Sequence, residues 1–338
     1  MLSARAETVL KSIVGQYVTT AMPVPSETIA HNYELGVSAA TIRNEMACLE
    51  QEGYITRRHP SAGSIPSDRG YRYYVETLTG VELPLAEQRS VSHLFHQVEG
   101  KVEEWVSLAA TIMAQLAQNM AVVSVPKSAD CQFKHLELIA LQDSLALVVL
   151  VLQGVRVKQQ LITFDLIISQ SELTAMANKL NAAYSGMTSS QILAKGIGLA
   201  TTEQQLTNCL VKIMQAEDEQ EYSEPYLNGL HFILNQPEFA HSHQMLALME
   251  LVEHRNLLKT IIPKELVSYG VQVIIGGENK AEAIRNYSVV ISRYGLANKA
   301  VGTIGIVGPT RMPYGHTIST VDYISSVLTE LIAELYER

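Results

Sequence analysis

Over the first eighty residues, apolar side chains recur every three or four positions in separate short stretches. Ala6, Leu10, Ile13, Val14 and Tyr17 share one face of a helix predicted over residues 3–20. "AMPVP" stops it, because proline lacks an amide donor and restrains the residue before it. Ser26 suits the N-cap of a short second helix bearing Ile29, Ala30 and Tyr33, and Gly36 supplies its closing turn. Ser38 opens a third helix with Ala39, Ile42, Met46, Leu49 and Gly53 on one face and Ala40, Arg43, Asn44, Ala47 and Gln51 on or near the other. The gap of about four residues between these two helices is the helix-turn-helix spacing.

The period then changes. Tyr54 to Arg57 and Ser64 to Pro66 form two short strands around a Pro/Gly turn, and a hairpin in this place is a wing. Ser67 caps a further helix with Tyr71, Tyr74, Val75 and Leu78 on its apolar side, and "GVELP" at 80–84 marks a boundary. Residues 85–120 predict one or two connector helices. "AVVSV", "HLELIAL", "LALVVLVLQ" and "VRVKQQLIT" follow as strands of one antiparallel sheet. Residues 169–236 return to helical signals, including "YLNGLHFILN", and 243–261 predicts another helix. Strands "VQVIIGG", "YSVVISRYG" and "VGTIGIVGP" precede a last helix from about Thr317 to Tyr336. Strands, a helical block and strands again describe a helical insertion in one α+β domain.

Composition narrows the function. The 338 residues are 47% apolar, enough for two or three domains with real cores. Only 17% are charged, so part of the surface is expected to be covered by a partner, most simply another copy. A net charge of −9 argues against coating nucleic acid by bulk electrostatics and leaves room for a small DNA-reading module. Cys48, Cys131 and Cys209 fit neither a disulfide framework nor a zinc site. "MLSARAETVL" has no signal-like apolar core, and "LALVVLVL" is far short of the ~20 residues that span a bilayer. The expectation is a soluble cytoplasmic protein.

Residues 1–80 carry seven Lys and Arg against eight Asp and Glu, so DNA contact must rest on local placement. Arg57, Arg58 and His59, followed by Arg69 and Arg72, are the candidate phosphate ligands around the wing. Arg43 and Asn44 suit base edges, the first guanine and the second adenine. Ser38 and Thr41 stand in the first turn of the third helix, where hydroxyls and free amides meet phosphates. Each has a plainer reading: Ser38 as a cap only, Arg43 as the partner of Glu45 or Glu50. His241, His243 and His254 resemble a metal cluster but read better as polar positions at a helix start. The glycines of "IGGEN" and "GTIGIVGP" lack P-loop or GxGxxG spacing, and no nucleophile motif stands out. No enzyme, metal or cofactor is expected.

"VSAATIRNEMACLEQEGYI" followed by "HPSAGSIPSDRGYRYYV" resembles the N-terminal module of the heat-inducible transcription repressors of the HrcA family. The pattern of His59, Ser61, Ala62, Gly63, Ile65, Pro66, Asp68, Gly70, Tyr71, Arg72, Tyr73, Tyr74 and Val75 carries it. Ser64 and Pro60 depart from it, standing where arginine and threonine are usual. The resemblance implies an α+β multidomain chain. A winged helix-turn-helix occupies 1–80, connector helices and the first part of a GAF-like α+β domain 81–168, a helical dimerisation insert 169–240, and the second part of the GAF-like domain 241–338. It further implies a homodimer on an inverted-repeat operator in double-stranded DNA upstream of chaperone operons, released on heat shock, with the chaperonin assisting the repressor's folding. A ligand-responsive winged-helix regulator is the alternative, since GAF-like folds often hold small molecules, and a scaffold using the winged helix for protein contact is a third.

Overall fold

The structure is a computed structural model that describes residues 2–32, 38–57, 59, 62–98, 101–127, 131–153, 156–195, 198–219, 225–239, 243–253, 257–262, 270–296 and 300–337. Tyr33, Gly36, Arg58, Pro60, Ser61, His241 and His254 therefore lie outside the described residues. The chain forms two compact units: Met1–Val125 with Glu224–Gly295 and Gly302–Arg338, and Pro126–Ser223 with Leu296–Val301.

The first unit begins with helices α1 (Ala4–Thr20), α2 (Ser26–Asn32) and α3 (Ala39–Gln51). Val9, Leu10, Ile13 and Val14 of α1 meet Ile29 of α2 and Ile42 and Leu49 of α3 in a core where each is at most 1% exposed. Full burial of such a side chain is worth about 1.5–3 kcal/mol, which explains why these three stripes pack together. Strands β1 (Ile55–Thr56) and β2 (Ile65–Pro66) pair antiparallel, Ile55 opposite Pro66 and Thr56 opposite Ile65. The "AMPVP" stretch does more than stop α1. Val24 pairs with Ser64 through two 2.9 Å backbone hydrogen bonds, adding a third short strand to the hairpin. Gly63 has no Cβ to collide with the backbone of Pro23, and Ser64 is fully buried, so position 64 does not reach outward in this chain.

Helix α4 (Asp68–Glu76) starts where Ser67 Oγ accepts from the amide of Gly70 at 3.1 Å. A Cβ on Gly70 would overlap the carbonyl oxygen of Tyr54, so α4 lies directly on the backbone leading into β1. Gly70→Ala is expected to destabilise the protein by about 1–3 kcal/mol through overpacking against rigid backbone, read as a lower denaturation midpoint. An unchanged midpoint would show that the two segments are not in contact.

Helices α5 (Leu85–His96) and α6 (Val102–Ala117) follow, then strand β3 (Met120–Val123). Here the structure corrects the sequence reading: β3 does not join the next three strands. It lies in a five-stranded sheet of the first unit, between strands that are distant in sequence. Strands β4 (Phe133–Gln142), β5 (Leu145–Leu152) and β6 (Arg156–Thr163) form their own antiparallel sheet in the second unit, in the order β4-β5-β6. Helices α7 (Gln170–Tyr184), α8 (Ser189–Ala194) and α9 (Thr201–Glu219) complete that unit. Its core joins Leu136, Leu138, Val148 and Leu150 of the sheet to Leu173, Ala177 and Leu180 of α7 and Leu206, Leu210 and Met214 of α9. This compact unit overlaps the expected first GAF-like segment and most of the expected 169–240 insert.

The chain then returns to the first unit with strand β7 (Tyr226–Asn228) and helix α10 (Leu230–Leu234). "YLNGLHFILN" is thus not one helix. Asn228, Leu227 and Tyr226 pair with Ala121, Val122 and Val123, and Gly229, at φ 83°, turns the chain beside the Asn119 carbonyl. Helices α11 (His243–Glu253) and α12 (Leu257–Ile261), strands β8 (Gln272–Ile275), β9 (Tyr287–Leu296) and β10 (Ala300–Pro309), and helix α13 (Tyr314–Glu337) complete the chain. The sheet order is β7-β3-β10-β9-β8. Strands β9 and β10 are buried on both faces over most of their length, which is why they read as continuous apolar runs. Val321, Ile324, Leu328 and Ile332 form the buried stripe of α13. No helix among the described residues is long and apolar enough to cross a membrane.

Candidate nucleic-acid interface

Helix α3 is held from inside and open outside. Ile42, Met46 and Leu49 are buried at a spacing of three to four, while Ala40, Arg43, Asn44, Cys48 and Gln51 are exposed. Ser38 caps it: Oγ accepts from the Thr41 amide at 3.3 Å and lies 3.1 Å from Thr41 Oγ1. The first turn therefore presents two hydroxyls together with its remaining free amides.

Arg43 and Asn44 stand next to each other on the exposed face. Arg43 pairs with neither Glu45 nor Glu50. Its Nη2 donates to Glu27 of α2 at 2.9 Å, and both side chains are about 60% exposed: 61% and 60%. An exposed pair of this kind is worth about 0–1 kcal/mol, so a base edge or phosphate can displace it. The Asn44 side chain makes no hydrogen bond with the described residues and is exposed.

The other cations divide. Arg57 Nη2 binds Glu50 at 2.6 Å, with the arginine side chain only 15% exposed and its Nε buried without a partner. Arg57 thus braces β1 against the end of α3. Arg57→Ala is expected to cost about 1 kcal/mol of stability, since Glu50 is itself partly solvated, and to leave the salt dependence of DNA binding unchanged. A melting curve and a log affinity against log salt plot check the two halves. His59 is exposed at the hairpin tip, and its carbonyl accepts from the Ala62 amide at 2.9 Å.

Arg69 is exposed and anchored at once. Its Nη1 donates to the carbonyl of Glu52 at 2.6 Å, and its guanidinium sits 4.4 Å from the centre of the Tyr54 ring. The ring is fixed in turn by Tyr73, edge-on at 5.6 Å, whose hydroxyl donates to Glu7 at 3.2 Å. Burial and then Glu7 raise the Tyr73 pKa. Arg69 therefore stands at the C-terminal end of α3, close to the hairpin.

Arg72 does not join this group. It turns to Glu278 and to the carbonyl of Val273 on β8, and the hydrogen bond to Glu278 raises its pKa beyond the usual arginine value. The structure thus brings together Ser38, Thr41, Arg43 and Asn44 on α3, with Arg69 at its far end, and leaves Arg57 paired with Glu50 and Arg72 with Glu278. Sequence reasoning missed Glu27 as the partner of Arg43. The helical period gives each residue's face but not which residues of a neighbouring helix it meets.

Of His241, His243 and His254, the first and last lie outside the described residues, and His243 begins α11. No group of three or more His, Cys, Asp or Glu among the described residues could hold a metal ion.

A family model described as the HrcA protein C-terminal domain matches residues 103–318. A heat-inducible transcription repressor HrcA of Dehalococcoides mccartyi is 50% identical over 338 residues, covering 100% of this chain and 98% of its own. Its counterpart in Roseiflexus castenholzii is 41% identical, covering 99% of this chain and 96% of its own. A crystal structure of a protein described as hypothetical superposes with a TM-score of 0.62 at 21% identity, covering 98% of both chains. At that identity the superposition speaks for the mixed α+β fold alone.

Proposed function

The chain belongs to the HrcA family of heat-inducible transcription repressors, and from that premise we propose that it is a cytoplasmic repressor of chaperone operons. It binds an inverted-repeat operator as a homodimer and is released on heat shock. In this reading residues 1–80 are a winged helix-turn-helix with α3 as the reading helix. The five-stranded sheet with its helices is the GAF-like domain. Arg43 and Asn44 read base edges with Thr41 beside them, and Ser38, Arg58, His59 and Arg69 meet phosphates.

The observation that carries this reading is the exposed Arg43–Asn44 pair on a capped helix whose opposite face is buried. Support for the homodimer comes from the second unit. One face of its sheet packs on α7, whose side-chain amides also cover the edge of β4. Asn181 bonds both the amide and carbonyl of Leu136, at 2.7 and 3.0 Å, and Gln170 bonds the amide of Ala140 and the carbonyl of Leu138, at 2.7 and 2.9 Å. The other face stays open and is mostly apolar, with His135, Glu137 and Gln159 as polar positions on it. Ile139, Leu147 and Leu161 stand in one register line across it, and Val151 opposite Val157 in another. Ile139, Val157 and Leu161 are 46%, 51% and 56% exposed. Such a face calls for a cover, and a second copy supplies an identical one. The dimer surface in this proposal is thus the sheet at 133–163 rather than the helices of 169–240. The chaperonin feedback rests on the family resemblance.

The test is binding to a labelled inverted repeat from a chaperonin promoter against scrambled DNA, across a salt series, with and without chaperonin. Selective, salt-dependent binding improved by chaperonin is the expected result, and equal affinity for both DNAs would refute the proposal. A ligand-responsive regulator is the second reading. It is favoured by an open groove of about 290 Å³ between α5 and α6, lined by Val91, Leu94, Ile112 and Leu116 with Glu87 and Gln115. Thermal stabilisation by a metabolite would point to it.

A further inference from the structure

Within the first unit, the N-terminal module is fastened to the five-stranded sheet and its surroundings at two separate places. From α4, Arg72 Nε donates to Glu278 Oε1 at 2.8 Å, while Nη2 reaches the same carboxylate and the Val273 carbonyl, the latter at 2.6 Å. Glu278 is itself held by the Ile275 amide at 2.9 Å. Beside it, the Gly277 amide donates to Asp68 Oδ2 at 2.7 Å, and Gly276, at φ 50°, leaves no room for a Cβ next to that carboxylate. From α1, the Val18 carbonyl accepts from Arg311 Nη1 at 2.7 Å. The same guanidinium is fixed by Glu238 at 2.5 Å and Gln236 at 2.6 Å. Tyr71, only 2% exposed, adds a ring contact with Tyr314 at 5.7 Å.

Attachment through two different helices sets the rotation of the module as well as its position. The outward face of α3 stays exposed in this arrangement, so docking presents the reading helix and does not cover it. We propose that Arg72 is a positioning residue for operator recognition: its pairing with Glu278 holds α3 at a set place on the body and so makes the protein selective for half-site spacing. This rests on the dimeric operator reading above. Two reading helices must enter major grooves about 34 Å apart, and a module held at that span binds the second half-site at high effective concentration. A loosely tethered module loses that advantage without losing its contacts to one half-site.

The test uses the full chain with Glu278→Ala, which frees Arg72 instead of removing it. Affinity for the inverted repeat is expected to fall about tenfold, with single half-site affinity and the salt slope unchanged. The penalty for lengthening the spacer by about five base pairs, half a helical turn, is expected to shrink. The exchange Arg72→Glu with Glu278→Arg should restore most of the loss. A second readout is independent of DNA: spin labels at Cys48 and at Ser326→Cys, with Cys131 and Cys209 changed to alanine, report the spread of module-to-body distances. Glu278→Ala should broaden it and the exchange should narrow it again. Tighter operator binding with a salt slope steeper by about 0.9 would make Arg72 a phosphate ligand and overturn the proposal. So would an unchanged distance distribution. Wild-type protein that ignores the inverted repeat would sink the operator reading itself, while the distance distribution still decides whether the pair holds the module.

Discussion

Arg43→Ala and Asn44→Ala should each lower the preference for operator over scrambled DNA by about 1–3 kcal/mol, roughly 5- to 150-fold, with little change in stability. Both side chains are exposed, and the helix that carries them is held by Ile42, Met46 and Leu49 on its other side. Neither substitution therefore opens a cavity. Removing Arg43 also leaves Glu27 unpaired, but that carboxylate is 60% exposed and keeps its water. The measurement is competition binding by fluorescence anisotropy against both DNAs, alongside a thermal melt. Loss of specific affinity at an unchanged melting point identifies base readout. Equal loss on both DNAs, with a salt slope reduced by about one, would reassign the residue to phosphate contact.

Leu147→Arg should convert the proposed dimer to monomer and weaken operator binding by about 10²- to 10⁴-fold, because two linked half-site contacts would become one. Leu147 stands on the open sheet face with Ile139 and Leu161 directly opposite on the neighbouring strands. A guanidinium there would be pressed between Ile139 and Leu161 and the same apolar line of the second copy, and Glu137, which shares this face, is already hydrogen-bonded to His135 at 2.9 Å. The monomer should keep its fold, since Ala146 and Val148 on either side face inward and remain buried. Sedimentation measures the mass, and anisotropy with one and two half-sites measures the avidity. A variant that still sediments as a dimer would place the interface elsewhere, with the helices of 169–240 next in line.

Elements built from near neighbours in the chain were legible in the sequence. The apolar stripes of α1 and α3, the caps Ser38 and Ser67, the short pair of strands between α3 and α4, and the buried runs of β9 and β10 all follow from spacing and capping within a few residues. The faces of α3 follow from the same period, and with them Arg43 and Asn44 as exposed candidates. Reading the strand and helix blocks in order went wrong where pairing skips along the chain. β3 and β7 pair with each other across about a hundred residues, and β4, β5 and β6 close a separate sheet.

Partner choice was the other thing only the tertiary structure decided. Arg69 and Arg72 sit three residues apart on one helix with the same charge. One lies over Tyr54 at the end of α3, and the other is bound to a glutamate 206 positions away. Val24 likewise met Ser64, and Arg43 met Glu27, because packing three helices brings those backbones and side chains within hydrogen-bond reach. A periodic pattern gives the direction in which each side chain leaves its own element. What waits in that direction depends on how distant segments bury their apolar faces, and that is settled only when the whole chain has folded.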